Sequence, residues 1–175
     1  WLNDDCINLG AQVIMRHLGT PAARGDPVIF SSFVLSKHHK GGDEGLWRVC
    51  KSSSEFWKKD IWIFPIHSNG NHWALAIVYW RKRRIAYFDS LHSKIAFETH
   101  VKDVFALIHR LQRLVADHGG ETRSMDGDWT AYPLAESPLQ DNGYDCGVWI
   151  LACFTAVLRG YTSIRLSSSD IAEFR

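Results

Sequence analysis

Cys146 stands where a reactive thiol is most useful. It follows the polar run Gln140-Asp141-Asn142-Gly143-Tyr144-Asp145 and opens a segment, ending at Arg159, that is apolar nearly all round. Such a segment reads as a buried helix. A helix N-terminus lowers a thiol's pKa through its dipole and its unpaired N–H groups, and the same donors steady an oxyanion on a nearby carbonyl. Gly147 leaves the backbone open on one side of the sulfur. Most free cysteines are small core residues. Cys153, two turns deeper among leucine, alanine and phenylalanine, reads as one of those. The polar approach to Cys146 sets it apart.

A thiolate nucleophile needs a base, commonly histidine, and the base needs an orienting acceptor. Nine histidines compete. His72 opens the run HWALAIVYW directly after the loop Ser68-Asn69-Gly70-Asn71, and Asp89 closes the next run in YFDS, 17 residues on. If the basic turn Arg81 to Arg84 lies midway, the two residues meet at one end of a hairpin. There the carboxylate holds the imidazole in the required tautomer. Alone, each would pass for an ordinary strand-end residue; Cys146 gives the pair its weight. Gln140, six residues before the cysteine, can donate its side-chain amide to the same oxyanion, although a loop glutamine is more often simply solvated.

The elements that position these residues follow from periodicity. Leu2 to Leu18 has helical spacing, with Asn3 or Asp4 to cap it and Gly19 and Pro21 to stop it. Val28 to Lys40 is mixed, with a short helix near the serines at 31 and 32, and glycines at 41, 42 and 45 mark a loop. Ser52-Ser53-Ser54-Glu55 offers a capping signal for a short helix through Phe56 and Trp57. Ile61 to Ile66, His72 to Trp80 and Ile85 to Leu91 read as strands, the last two joined by the basic turn. Lys94 to His118 is an amphipathic helix ended by Gly119-Gly120, Trp129 to Leu134 a further strand, and Asp145 to Arg159 the core helix stopped by Gly160. Together these make an α+β domain.

Bulk properties narrow the function classes. Apolar residues make up 46% of the chain, enough for one domain with a real core. Twenty lysines and arginines against 19 acids give a net charge of +1. A dedicated nucleic-acid binder carries a clear basic excess, so nucleic acid is not expected. No apolar run approaches ~18 residues, so no membrane-spanning helix is expected. Four cysteines without a CxxC pair, and no glycosylation sequon, fit a reducing intracellular setting. His38-His39 with Cys50 lacks the paired spacing of a zinc site, so neither metal nor cofactor is expected. Arg24-Gly25-Asp26 is taken as chance. The basic turn is either solvated, part of a nuclear import signal, or a contact for an acidic partner.

Four motifs then stand in order: WLND from Trp1, NHWALAIV from Asn71, YFDS from Tyr87 and QDNGYDCGVW from Gln140. Over nearly the whole chain they resemble the ubiquitin-like-protein-specific proteases, the sentrin- or SUMO-specific peptidases related to adenovirus protease. The resemblance implies a papain-like cysteine protease fold, a central mixed sheet flanked by helices with the nucleophile at a buried helix N-terminus. It implies a triad of His72, Asp89 and Cys146, with Gln140 completing the oxyanion hole. It also implies that Trp1 and Trp73 flank a tunnel for a modifier's Gly-Gly tail, since flat rings clamp an extended backbone. With eight tryptophans, core packing is the competing account of both. In the family further residues precede WLND, so residues 1–175 are read as a single catalytic domain trimmed at its N-terminus.

The expected activity is cleavage after the C-terminal Gly-Gly of a ubiquitin-like modifier, removing it from conjugates or maturing its precursor. SUMO is the first expectation for the modifier, with ubiquitin and Nedd-type modifiers behind. The enzyme is expected to be a monomer in the nucleus or cytoplasm. Two other readings remain open: a catalytically silent module that binds a modifier or another protein, and acyl transfer to an amine in place of hydrolysis. Inactive members usually lose a triad residue, and this chain keeps every position.

Overall fold

The structure, a computed structural model, describes residues 1–18, 25–53, 55–68, 70–161 and 166–173. The predicted stop of the first helix at Gly19 and Pro21, Ser54 of the capping signal, Asn69 of the loop and Arg24 of the tripeptide lie outside the described residues. In chain order the elements are helix α1 (Asp4–Leu18), strand β1 (Pro27–Ile29), helices α2 (Phe33–Lys40) and α3 (Asp43–Cys50), and strands β2 (Ile61–Ser68), β3 (His72–Tyr79) and β4 (Arg84–Phe88). Helix α4 (Lys94–Asp117), strand β5 (Thr130–Pro133) and helices α5 (Cys146–Leu158) and α6 (Ser168–Glu173) complete them.

The five strands form one mixed sheet in the order β1-β2-β3-β4-β5. The inner pairs β2–β3 and β3–β4 are antiparallel, and the outer pairs β1–β2 and β4–β5 are parallel. Alternate residues of the central strands feed two separate cores, because side chains point to opposite faces of a sheet. On one face Trp62, Phe64, Ala76, Val78, Ile85 and Tyr87 pack with residues of α2, α3 and α4. On the other, Ile63, Trp73, Leu75, Ile77, Ala86 and Phe88 pack with Ile7 of α1 and Trp149, Ile150 and Phe154 of α5. Both faces are covered by helices, so these strands read as continuous apolar runs even where they are antiparallel. Pro65 is tolerated in β2 because its pairing with β1 ends at Ile63, beyond which no donor is needed on that side.

Several expectations are corrected. The glycines at 41, 42 and 45 do not mark a loop throughout: Gly42 caps α3, and Gly45 lies in its first turn. Leu46 and Cys50 are fully buried, and Arg110 of α4 binds Asp43 at 2.7 Å, so tertiary contacts override the glycine's poor propensity. Strand β1 and helix α6 were not predicted; each is too short for periodicity to register. The basic turn is a 3₁₀ turn (Trp80–Lys82) followed by Arg83 at φ +49°, and Arg84 already belongs to β4. Arg81 there pairs with Asp60 at 2.8 Å. At the end of α4, Gly119 adopts φ +73° while the N–H of Gly120 bonds the carbonyl of Val115, closing the helix as expected.

Candidate active site

The hairpin β3–β4 brings His72 and Asp89 together. His72 is the first residue of β3, and Asp89 follows immediately on β4. The ring Nε2 of His72 lies 2.8 Å from Asp89 Oδ1. The same carboxylate accepts from the backbone N–H of Leu91 (2.9 Å) and of Ser93 (3.1 Å), which fixes its orientation. It is almost wholly buried. Burial alone would raise its pKa, but the bonds from His72, Leu91 and Ser93 outweigh that and hold it below the usual carboxylate range.

Cys146 is the first residue of α5, as its polar approach predicted. His72 lies close enough to Cys146 to favour its thiolate. The backbone N–H groups of Trp73 and Gly147 favour the same ionised form, and the sulfur lies 3.9 Å from the carbonyl of Asn71. Burial opposes ionisation of this thiol, yet His72 and the two N–H groups lower its pKa below the ordinary value. Burial likewise disfavours the His72 imidazolium, but Asp89 and Cys146 push its pKa up to about 9. Both shifts favour the thiolate–imidazolium pair. Cys153 and Cys50 show the contrast: buried without such partners, their thiols are pushed up, that of Cys50 to about 12.

Gln140 is a buried residue and not a solvated one. Its Oε1 accepts from the hydroxyl of Ser90 at 2.8 Å, and its Nε2 donates to the carbonyl of Asn142. Its backbone N–H bonds the carbonyl of Ser90 at 3.1 Å. The amide is thus fixed from the residue next to Asp89. Asn142 organises the loop before the nucleophile: its Oδ1 accepts from the N–H of Tyr144 and of Asp145, and its Nδ2 donates to Asp145 Oδ2 at 2.8 Å. The Asp145 side chain makes no cap bond to the helix, which leaves first-turn N–H groups of α5 uncapped by it. Ser90 and Asn142 were not singled out in the sequence. The Asn-Gly dipeptide at 142–143 was the one available signal of a built turn.

The tryptophans occupy different environments. Trp73 is buried, its indole N–H donating to the carbonyl of Leu2 at 2.8 Å and its ring stacked on His67 at 4.3 Å. Trp1 is 79% exposed and tied by its indole N–H to the carbonyl of Gly143 at 3.0 Å. The Trp1–Leu2 segment therefore crosses the N-terminus of α5, close enough that a Cβ on Gly147 would lie 3.0 Å from that of Leu2.

An ionisable thiol at a helix N-terminus, with a carboxylate-held histidine beside it, defines a cysteine-hydrolase type of site. Residues 1–175 match the Ulp1 protease family, C-terminal catalytic domain, and the chain belongs to that family. It is 32% identical to ubiquitin-like-specific protease 1 of Saccharomyces cerevisiae over 86% of this chain and 22% of that protein. It is 29% identical to sentrin-specific protease 2 of Homo sapiens over 85% of this chain and 24% of that protein. The chain thus spans about a quarter of the length of these relatives. Among solved structures, the C-terminal Ulp1 protease domain in complex with Smt3, the yeast ortholog of SUMO, superposes with a TM-score of 0.71 at 29% identity. That match covers 98% of this chain and 72% of the other. The papain-like α+β fold expected from the motifs is the fold found.

Proposed function

We propose that residues 1–175 act as one catalytic domain that cleaves the bond after the C-terminal Gly-Gly of a ubiquitin-like modifier, with Cys146, His72 and Asp89 as its triad. The observation that carries this reading is the hydrogen bond between His72 and Asp89 at 2.8 Å beside Cys146, whose thiol opens α5 and is held below its ordinary pKa by His72. Membership of the Ulp1 family supports it, and the relatives' names and the Smt3 complex favour SUMO as the modifier over ubiquitin or a Nedd-type protein.

In this mechanism the Cys146 thiolate attacks the terminal glycine carbonyl and a C–S bond forms. The oxyanion accepts from the backbone N–H of Cys146 and from the Gln140 amide hydrogen not engaged by Asn142. His72, protonated and held by Asp89, gives its proton to the departing amine as the C–N bond breaks. That amine is the lysine ε-amine of a conjugate or the α-amine of a precursor's extension. Water, deprotonated by His72, then attacks the thioester and releases the modifier's carboxylate and the thiol. An amine in place of water would give acyl transfer with the same residues. Trp1, on the segment that crosses α5, and Trp73, bonded to that segment at Leu2, clamp the extended tail, where glycine alone is thin enough to pass. The four unpaired cysteines suit a reducing compartment, the nucleus or cytoplasm.

The test is cleavage of a SUMO–fluorophore amide by the wild type and by Cys146→Ala. Loss of cleavage in the variant, with unchanged circular dichroism, is the expected result. An equally active variant would remove Cys146 from the chemistry, and an inactive wild type would favour the silent binding module.

A further inference from the structure

A cavity of about 440 Å³ lies behind the triad's carboxylate: Asp89 lines it, but neither His72 nor Cys146 does. That volume suits a small ligand or one long side chain. Its apolar wall includes Tyr87 and Phe97, rings in edge contact at 5.7 Å, together with Pro133. Glu98 and Glu136 stand exposed at its rim, and neither enters an ion pair among the described residues. Lys94 lines the same rim one turn before Glu98 and pairs with neither carboxylate. The lip is the turn after β4, where His92 adopts the left-handed backbone at φ +54°. That turn is fastened by the Leu91 and Ser93 N–H bonds to Asp89 itself. A strained residue held by a functional carboxylate marks a built feature.

We propose that this cavity binds a cationic side chain, lysine or arginine, of the protein from which the modifier is removed. The inference rests on reading the chain as a deconjugating protease. An apolar channel with an acidic mouth matches a long aliphatic stem ending in a cation, and the aromatic wall adds cation–π attraction. At the rim two carboxylates, Glu98 and Glu136, stand against one ammonium, Lys94, so the net charge there favours a cationic side chain over an anionic one. Position agrees with the assignment. The cavity shares Asp89 with the candidate triad, so a side chain bound there lies beside the site where the modifier is detached.

The first test is binding, which does not depend on catalysis. N-acetyl-arginine amide and N-acetyl-norleucine amide are titrated into ¹⁵N-labelled Cys146→Ala protein while backbone amides are followed. Saturable shifts are expected around the 92–98 turn and at 135–136, about threefold or more weaker for norleucine, as exposed ion pairs of this kind allow. The Glu98→Gln/Glu136→Gln pair erases the difference between the two ligands. Absence of shifts, or equal binding of both compounds, overturns the proposal; equal binding identifies an uncharged apolar site. The second test compares kcat/KM for SUMO joined to the lysine of a peptide flanked by arginine or by norleucine. The ratio is expected to favour arginine about threefold or more in the wild type and to fall to unity in the double variant. Amide shifts with a wild type that cannot cleave SUMO–fluorophore leave the site standing and sink the protease reading. Cleavage without shifts does the reverse.

Discussion

At the scale of single residues the molecule separates one buried thiol from two others by what surrounds it. Cys146 is surrounded by an imidazole and two N–H groups, whereas Cys50 and Cys153 are surrounded by hydrocarbon. Because each group favours the charged form of the other, His72 and Cys146 are expected to titrate together, which sets the direction of the pH dependence. His72 keeps its proton up to about 9, above its ordinary 6.5, and the Cys146 thiol ionises below its ordinary value. Activity is therefore expected to rise through a limb below the normal thiol range and to fall through a limb near 9, measured as kcat/KM against pH. The His72–Asp89 contact adds stability that is fully present below about 6.5 and fades as pH rises through about 9. Asp89→Asn removes the acceptor that holds the imidazolium. It is expected to cost about 10² in kcat/KM or more and to raise the pH at which the thiolate absorbance appears. An Asp89→Asn enzyme with an unshifted thiolate titration would contradict this role. The pairing of His72 with Asp89 and the place of Cys146 at the start of a helix were legible in the sequence because each stands at an element boundary that periodicity reveals. Ser90 and Asn142 were not, because their importance lies in partners such as Gln140 that only the folded loop brings within reach.

At the scale of elements, the site depends on how two segments are pinned to α5. Ser90 holds Gln140, and removing its hydroxyl frees the glutamine's Oε1. Ser90→Ala is expected to lower kcat about tenfold, less than the 10²–10³ typical of losing an oxyanion donor outright, with KM little changed. A Ser90→Ala enzyme with wild-type kcat would detach Gln140 from the oxyanion. The Trp1–Leu2 segment lies against Gly147, where an added Cβ meets Leu2 at 3.0 Å. Gly147→Ala is expected to displace that segment and raise KM for the modifier substrate, with unfolding stability changed by about 1 kcal/mol or less; an unchanged KM would speak against the tail clamp. The large elements were legible: the hairpin, α4 and α5 carry long runs of one period. Helix α3 was hidden because three glycines dominate its local sequence, while Arg110, distant in the chain, supplies the contact with Asp43 that secures it.

At the scale of the whole molecule, a five-stranded sheet separates two cores, and the candidate active site lies where the hairpin and α5 meet on one of them. No helix among the described residues is long and apolar enough to cross a membrane. The fold makes the thiols report on it globally. In the native protein, iodoacetamide is expected to label Cys146 and the exposed Cys6, while Cys50 and Cys153 react only on unfolding, read by mass spectrometry of the peptides. Labelling of Cys153 as fast as Cys146 would contradict the packing of α5 in the core. The fold class was legible from the order of periods, whereas the cavity behind Asp89 was not, since it is formed by two segments, 87–98 and 133–136, that only the folded sheet brings together. The central claim, a thiolate that receives a modifier's glycine tail, is tested most directly with C-terminally electrophilic SUMO, ubiquitin and Nedd-type probes. The account predicts a covalent adduct with the SUMO probe, located on Cys146 by peptide mass spectrometry and absent from Cys146→Ala. A folded wild-type protein that forms no adduct with any probe, or forms it on Cys6, would contradict it.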